Sequence, residues 1–386
     1  MWDVGFGRGR IHQNNEERML DNWLRPIDKA LTTAAARRPR NVGDHLIRYV
    51  EEFPNLEGVQ IGLIGIGKKE ADAVRKELYQ MSWPFGSLRV ADLGNVRRAS
   101  VSFIVPVIKE LLDSRIVPLL LCRQPEFMQS QYQAHKSIYS SLSLALIDEQ
   151  VHYHPRTPGE ERHFLQPVID QPPAGLFHLS VLACQRHFID PDLNQFLNER
   201  HFDLLRLGPL RADLTAAEPL IRDADLLAFN LAALKRVEAP GVAEPTPSGL
   251  FSEEACQLSR YAGMSDKLRS VGFFGYVSER DTRRQTASLL AQLVWYFLDG
   301  FHHRKNDFPA STDGLVEYIV DFKGPEHLQL TFWRSNKSGR WWIQVPVDTK
   351  DAPQRHRLIP CSYQDYQQAC NEEVPERLLN AFKRYG

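Results

Sequence analysis

Eight short apolar runs constrain the fold more than anything else in the sequence. They lie at 59–66, 88–91, 116–121, 142–147, 176–182, 202–207, 226–231 and 271–277. Most are apolar at consecutive positions rather than at alternate ones. A strand that is apolar on both faces belongs to a sheet covered on both sides. Between the runs lie amphipathic stretches such as KKEADAVRKELYQ (68–80) and VSFIVPVIKELLD (101–113). Strand and helix in alternation predict a three-layer α-β-α architecture with a mainly parallel sheet of about eight strands. The strongest helical pattern runs over 283–300, where Gly300 is placed to end it.

Beyond residue 310 the pattern changes. Segments 316–322, 328–333 and 341–345 alternate apolar and polar residues, with Gly324-Pro325 and Ser338-Gly339 as turn signals. They predict an antiparallel β-meander, followed by a helix over 363–384 that Ser362 caps. The expected organisation is an α/β domain over 1–310 and an extension over 311–386 packed on it.

The balance of charge is nearly even, 47 basic against 48 acidic residues, which argues against general nucleic-acid or anionic-membrane binding. Five scattered cysteines without a CxxC pair oppose a disulfide framework or a structural zinc site. The first residues, MWDVGFGRGRIHQNNEER, are polar, and no apolar run reaches the length of a membrane span. The expectation is a cytoplasmic protein without membrane insertion.

In open parallel sheets ligands bind beyond the carboxyl ends of the strands. Three such ends carry chemistry: Cys122-Arg123-Gln124-Pro125-Glu126; Asp148-Glu149-Gln150-Val151-His152, with His154 beyond; and Asn230 through Lys235. Arg123 beside Cys122 would favour a thiolate, although a buried strand-end cysteine is the simpler reading. The run GLIGIGKKE (62–70) lacks GxGxxG spacing and reads as a tight strand-to-helix turn.

In order and spacing, ADLGNVRRAS (91–100), VPLLLCRQPEF (117–127), LALIDEQVH (144–152), DADLLAFNLAALK (223–235) and GLFSEEACQLSRYAGMSDKL (249–268) resemble the arginase/ureohydrolase superfamily, most closely formimidoylglutamase-like proteins. The tail segments WYFLDGFHHRK, RWWIQVP and IPCSYQDYQQACNEEVPER resemble a bacterial offshoot of it. The resemblance implies the superfamily's fold and two manganese ions held by one histidine and by DAHxD and DxDxxD motifs. Carboxylates and imidazoles suit Mn2+, and a metal pair generates the attacking hydroxide.

Carried over residue by residue, the pattern largely fails. The histidine position falls on Pro125. DAHxD retains Asp148 but has Gln150 for its histidine and His152 for its last aspartate. DxDxxD becomes Asn230, Ala232 and Lys235, and the acid expected to receive the substrate's cationic end falls on Gly275.

The expectation is therefore a non-catalytic ureohydrolase-like protein with no cofactor and a binding or scaffolding role. Arg123, Glu126, Glu149, His154 and Gly275 would line a residual cleft open to a small molecule. The alternative is an active hydrolase of formimino or amidino groups with manganese, mononuclear and held by Asp148 and His152. A protein partner or a homo-oligomer is also expected, with Trp333, Trp341 and Trp342 as interface candidates and a further alternative as a subunit of a larger assembly. Alternation puts Trp341 and Trp342 on opposite faces, so one packs on the α/β domain while the other meets the C-terminal helix or an interface.

Overall fold

A computed structural model describes residues 19–31, 41–139, 141–157, 159–160, 162–170, 176–322, 329–345 and 357–385. The polar N-terminal segment read for targeting lies outside the described residues. All eight predicted runs form strands: β3 (Ile61–Ile66), β4 (Val90–Val96), β5 (Val117–Cys122), β6 (Leu142–Ile147), β7 (Leu176–Cys184), β8 (Asp203–Arg206), β9 (Leu226–Asn230) and β10 (Ser270–Phe274). Two two-residue strands, β1 (Leu24–Arg25) and β2 (Ile47–Arg48), bring the sheet to ten.

The order is β1-β4-β3-β5-β10-β9-β6-β7-β8, with β2 beside β4. Every pairing is parallel except that of β1 with β4. Strands β3, β4, β5, β6, β9 and β10 are buried at every residue, in keeping with their mainly apolar runs, and the polar Asp92, Asn95, Ser143, Asn230 and Ser270 are buried with them. The two buried clusters on either side of the sheet use alternate residues, for example Leu119 and Leu121 in one and Leu120 and Cys122 in the other.

Helix Lys68–Leu78 is tied to β4 through Arg75, which is fully buried. Its guanidinium donates to both oxygens of Asp92 at 2.8 and 2.9 Å, to Asn95 at 2.8 Å and to the Gly94 carbonyl at 2.7 Å. Helix Gln285–His302 runs past the predicted end at Gly300. A Cβ there would sit 2.2 Å from the Arg260 carbonyl oxygen, so this glycine admits a neighbouring helix and does not terminate its own.

The second sheet is antiparallel: β11 (Leu315–Asp321), β12 (Gln329–Ser335), β13 (Trp341–Gln344) and β14 (Leu358–Cys361), in that order. Its fourth strand is absent from the sequence reading because Pro360 reads as a breaker. Ser362 caps helix Tyr363–Cys370 as expected, accepting from Asp365 N–H at 3.1 Å. The single predicted helix is two, since Glu376–Tyr385 forms a separate one after Pro375.

Trp341 and Trp342 do face opposite ways. Trp341 stacks on Tyr366 at 4.7 Å, while Trp342 is fully buried under Arg222 at 4.4 Å. Both are buried in the protein, and the half-buried Trp333 donates its Nε1–H to Gln344 at 3.1 Å. Among the described residues no helix is long and apolar enough to cross a membrane.

Candidate functional site

The rim forms where β5, β6, β9 and β10 lie side by side with their carboxyl ends together. Asp148 is completely buried at its centre. Its Oδ1 accepts the Glu149 N–H at 2.7 Å, and its Oδ2 accepts Asn230 Nδ2–H at 2.9 Å. Asn230 Oδ1 in turn accepts the Ala232 N–H at 3.2 Å, which fixes which way the amide points. A neutral amide thus faces the carboxylate where the superfamily resemblance expects a second carboxylate.

Gly275 closes the same space. Its φ is +90°, and a Cβ built on it would lie 2.6 Å from Asn230 Oδ1. A longer acidic side chain at this position has no room while Asn230 holds its place.

His152 stacks on Phe164 at 4.2 Å and donates from Nδ1 to the Arg162 carbonyl at 3.1 Å. Its Nε2 is buried without a hydrogen bond, and Asp148 Oδ2 lies 3.4 Å away. Burial disfavours the charged imidazolium, but Asp148 outweighs it and holds the imidazole pKa above its ordinary value. Glu149 is also buried and accepts from Thr246 Oγ1 at 2.8 Å; burial pushes its carboxyl up to about 7. Gln185 Nε2–H donates to the Ser248 carbonyl at 3.1 Å, so Glu149 and Gln185 together strap the Pro-rich loop against the rim. Sequence reasoning missed Thr246 and Gln185, because nothing local marks a loop residue that bonds across the sheet.

Other sequence candidates lie elsewhere. Lys235 seats its ammonium on the Phe251 ring at 3.5 Å. Arg123 is spent on Glu70 at 3.4 Å and Glu279 at 3.1 Å. Pro125 opens a short 3-10 turn; Gln150 is half-buried and Glu126 exposed, and neither enters the Asp148 network. Cys122 does not become a thiolate: it is buried, donates to the Gln124 carbonyl at 3.3 Å, and burial drives its pKa far up.

His154 belongs to a separate surface group. With Asp190 and Asp192 it forms the one set of three convergent His, Cys, Asp or Glu ligand atoms among the described residues. Those groups already have partners. His154 pairs with Asp190 at 3.0 Å, Asp190 caps its helix through the Leu193 N–H, and Asp192 pairs with Arg156 at 2.6 Å.

Buried Ser180 and His178 with half-buried Asp203, a trio unforeseen in the sequence, do not form a nucleophilic triad. Ser180 Oγ at 3.2 Å and Asp203 Oδ2 at 2.8 Å both reach His178 Nε2, while Arg384 meets Nδ1. A triad needs the acid and the hydroxyl on opposite ring nitrogens. The trio instead fastens edge strand β8 to the C-terminal helix.

The donor set therefore does not suit two manganese ions, because it offers one carboxylate, one imidazole and one neutral amide. For a single ion it leaves two donors, the orphaned His152 Nε2 and Asp148 Oδ2, 3.4 Å apart.

No family model matches the sequence. Formimidoylglutamase from Staphylococcus aureus strain MRSA252 is 24% identical over 262 residues, covering 63% of this chain and 82% of that protein. Among solved structures, Trypanosoma cruzi formiminoglutamase with Mn2+ aligns with a TM-score of 0.58 and 16% identity, over 65% of this chain and 96% of that one. A hypothetical agmatinase from Burkholderia thailandensis gives a TM-score of 0.57 at 19% identity, over 70% and 97%. The Mn2+ in the Trypanosoma structures overturns the expectation that a site of this kind works without a cofactor. In fold the chain is of the arginase/ureohydrolase type, and in sequence it is similar to formimidoylglutamases.

Proposed function

We propose that the chain has lost two-metal hydrolysis of formimino and amidino groups and keeps the rim as a binding site with one Mn2+ ion. The observation that supports this most directly is the Asn230 amide hydrogen-bonded to Asp148 at 2.9 Å. Asp148 and His152 are the residues that would hold the ion, once Asp148 turns from Asn230. A bound Mn2+ supplies Lewis-acid polarisation of an oxygen or nitrogen ligand, whereas a hydroxide shared between two ions needs bridging carboxylates this chain lacks. Thr246 and Glu149 then keep the overlying loop closed and restrict the cleft to small ligands. A cytoplasmic location and a scaffolding role toward a protein partner belong to the same reading.

The second reading is an active hydrolase, favoured by the names of the curated relatives. Manganese-loaded protein separates the two. The proposal expects one manganese per chain, lost in Asp148→Ala, and no release of formamide, ammonia or urea from formiminoglutamate, arginine or agmatine. Two manganese per chain with turnover would replace it by the hydrolase.

A further inference from the structure

Strand β11 is the outer edge of the C-terminal sheet, and among the described residues no strand pairs with that edge. Over seven residues, LVEYIVD, it has no lysine, no proline and an unbroken register with β12, and its charged residues are two acids, Glu317 and Asp321. Val316 and Ile319 are exposed on it, at 37% and 54%. The other edge, β14, is covered: Arg222 reaches from the α/β core to the carbonyls of Cys361 at 3.2 Å and Trp341 at 3.1 Å.

The two faces beside the bare edge differ in chemistry. Register places Val316 opposite Arg334 and Arg334 opposite Trp341, with Tyr318 on the same face. There a cavity of about 500 Å3 is lined by Tyr318, Arg334, Trp341, Tyr363 and Tyr366. Trp341 and Tyr366 stack at 4.7 Å, Tyr363 continues the stack at 5.9 Å, and Tyr363 is 53% exposed. The opposite face of the edge presents Glu317, Ile319 and Asp321, all exposed. Side chains of an added strand alternate between these faces, so one set meets aromatic rings and the other meets carboxylates.

We propose that the outer edge of β11 takes up an extended segment of a different protein as a fifth strand, with Lys or Arg four positions apart against Glu317 and Asp321, an apolar residue midway against Ile319, and apolar or aromatic residues at the intervening positions facing the Tyr318–Trp341–Tyr363 cavity. A second copy of this chain is the poorer occupant. Its own β11 brings the same two carboxylates to the same edge and no base to meet them. The inference is independent of the metal content of the rim.

The test selects a phage-displayed library of random peptides of about nine residues on the full-length protein. Enriched peptides should carry two basic residues four positions apart with apolar residues between them, and protect β11 amides from hydrogen exchange. Inserting proline at the centre of an enriched peptide should abolish binding while leaving its charge unchanged. Glu317→Lys with Asp321→Lys should weaken these peptides about tenfold and favour versions with glutamate for lysine, while Tyr363→Ala should weaken those that place an aromatic residue beside the cavity. The proposal is overturned by an absence of enrichment, by proline-tolerant binding, by binding that the double charge reversal leaves unchanged, or by a dimer held through β11.

Discussion

Asn230→Asp is the most searching perturbation of the rim. It replaces the amide that donates to Asp148 at 2.9 Å with a second carboxylate in the same buried space. Two full charges at that distance repel by about 6 kcal/mol at an effective dielectric of about 20. The pair avoids this by retaining one proton. Keeping a carboxyl protonated at pH 7 against an ordinary value near 4 costs about 4 kcal/mol, and at pH 5 about 1.5 kcal/mol.

The variant should therefore be less stable than wild type by about those amounts in chelator, with the deficit growing as pH rises. Mn2+ at roughly a hundredfold excess over the dissociation constant stabilises wild type and variant alike by about 2–3 kcal/mol, and narrows the deficit only as far as the added carboxylate tightens the site. Chemical denaturation at pH 5, 6 and 7, with chelator and with Mn2+, reads all of this. A variant as stable as wild type in chelator at pH 7, with no pH trend in the difference, would refute the closed Asp148–Asn230 pair.

Three further outcomes follow from the fold. Arg75→Met leaves Asp92 buried without its guanidinium and should cost about 3–5 kcal/mol in a urea melt, much of it recovered by adding Asp92→Leu. Gly275→Ala should cost about 2–3 kcal/mol by thermal denaturation, because φ is +90° and Asn230 Oδ1 occupies the Cβ position; Asn230→Gly in the same chain should relieve part of the cost. Burial and the neighbouring Arg384 hold the His178 pKa below its ordinary value, with Asp203 opposing. The unfolded chain then takes up the imidazole proton first as pH falls through about 6.5, and stability is lost there. His178→Gln should flatten the loss between pH 6.5 and 5 by about 1 kcal/mol per pH unit, and curves that stay parallel would count against the burial argument.

The α/β layers were legible because six of the main strands are apolar on both faces, a pattern that few other folds require. Beyond residue 310 the reading weakened. Pro360 hid β14, yet it pairs with Trp342 in the outermost strand, where a missing N–H is tolerated. Gly300 read as a helix stop because a sequence does not reveal the helix carbonyl that presses on it.

At the rim, the positions of Asp148, His152, Asn230 and Gly275 could be read from spacing and resemblance. How they close on one another could not. Nothing in AFNLAALK states that Asn230 turns its amide to Asp148, or that Lys235 leaves the rim for Phe251. The His178 cluster joins residues more than two hundred positions apart and left no local signal.

Arg222 joins the C-terminal sheet to the α/β core by donating to two main-chain carbonyls, those of Trp341 and Cys361. Every residue type supplies the same carbonyl, so these two bonds specify strand position without specifying side chains. Trp342 is pinned beneath that guanidinium, but β11 lies on the far side of the sheet's order and does not take part in the joint. The outer strand can therefore be rewritten for one ligand or another without loosening the attachment, as a tool head is exchanged on a fixed handle.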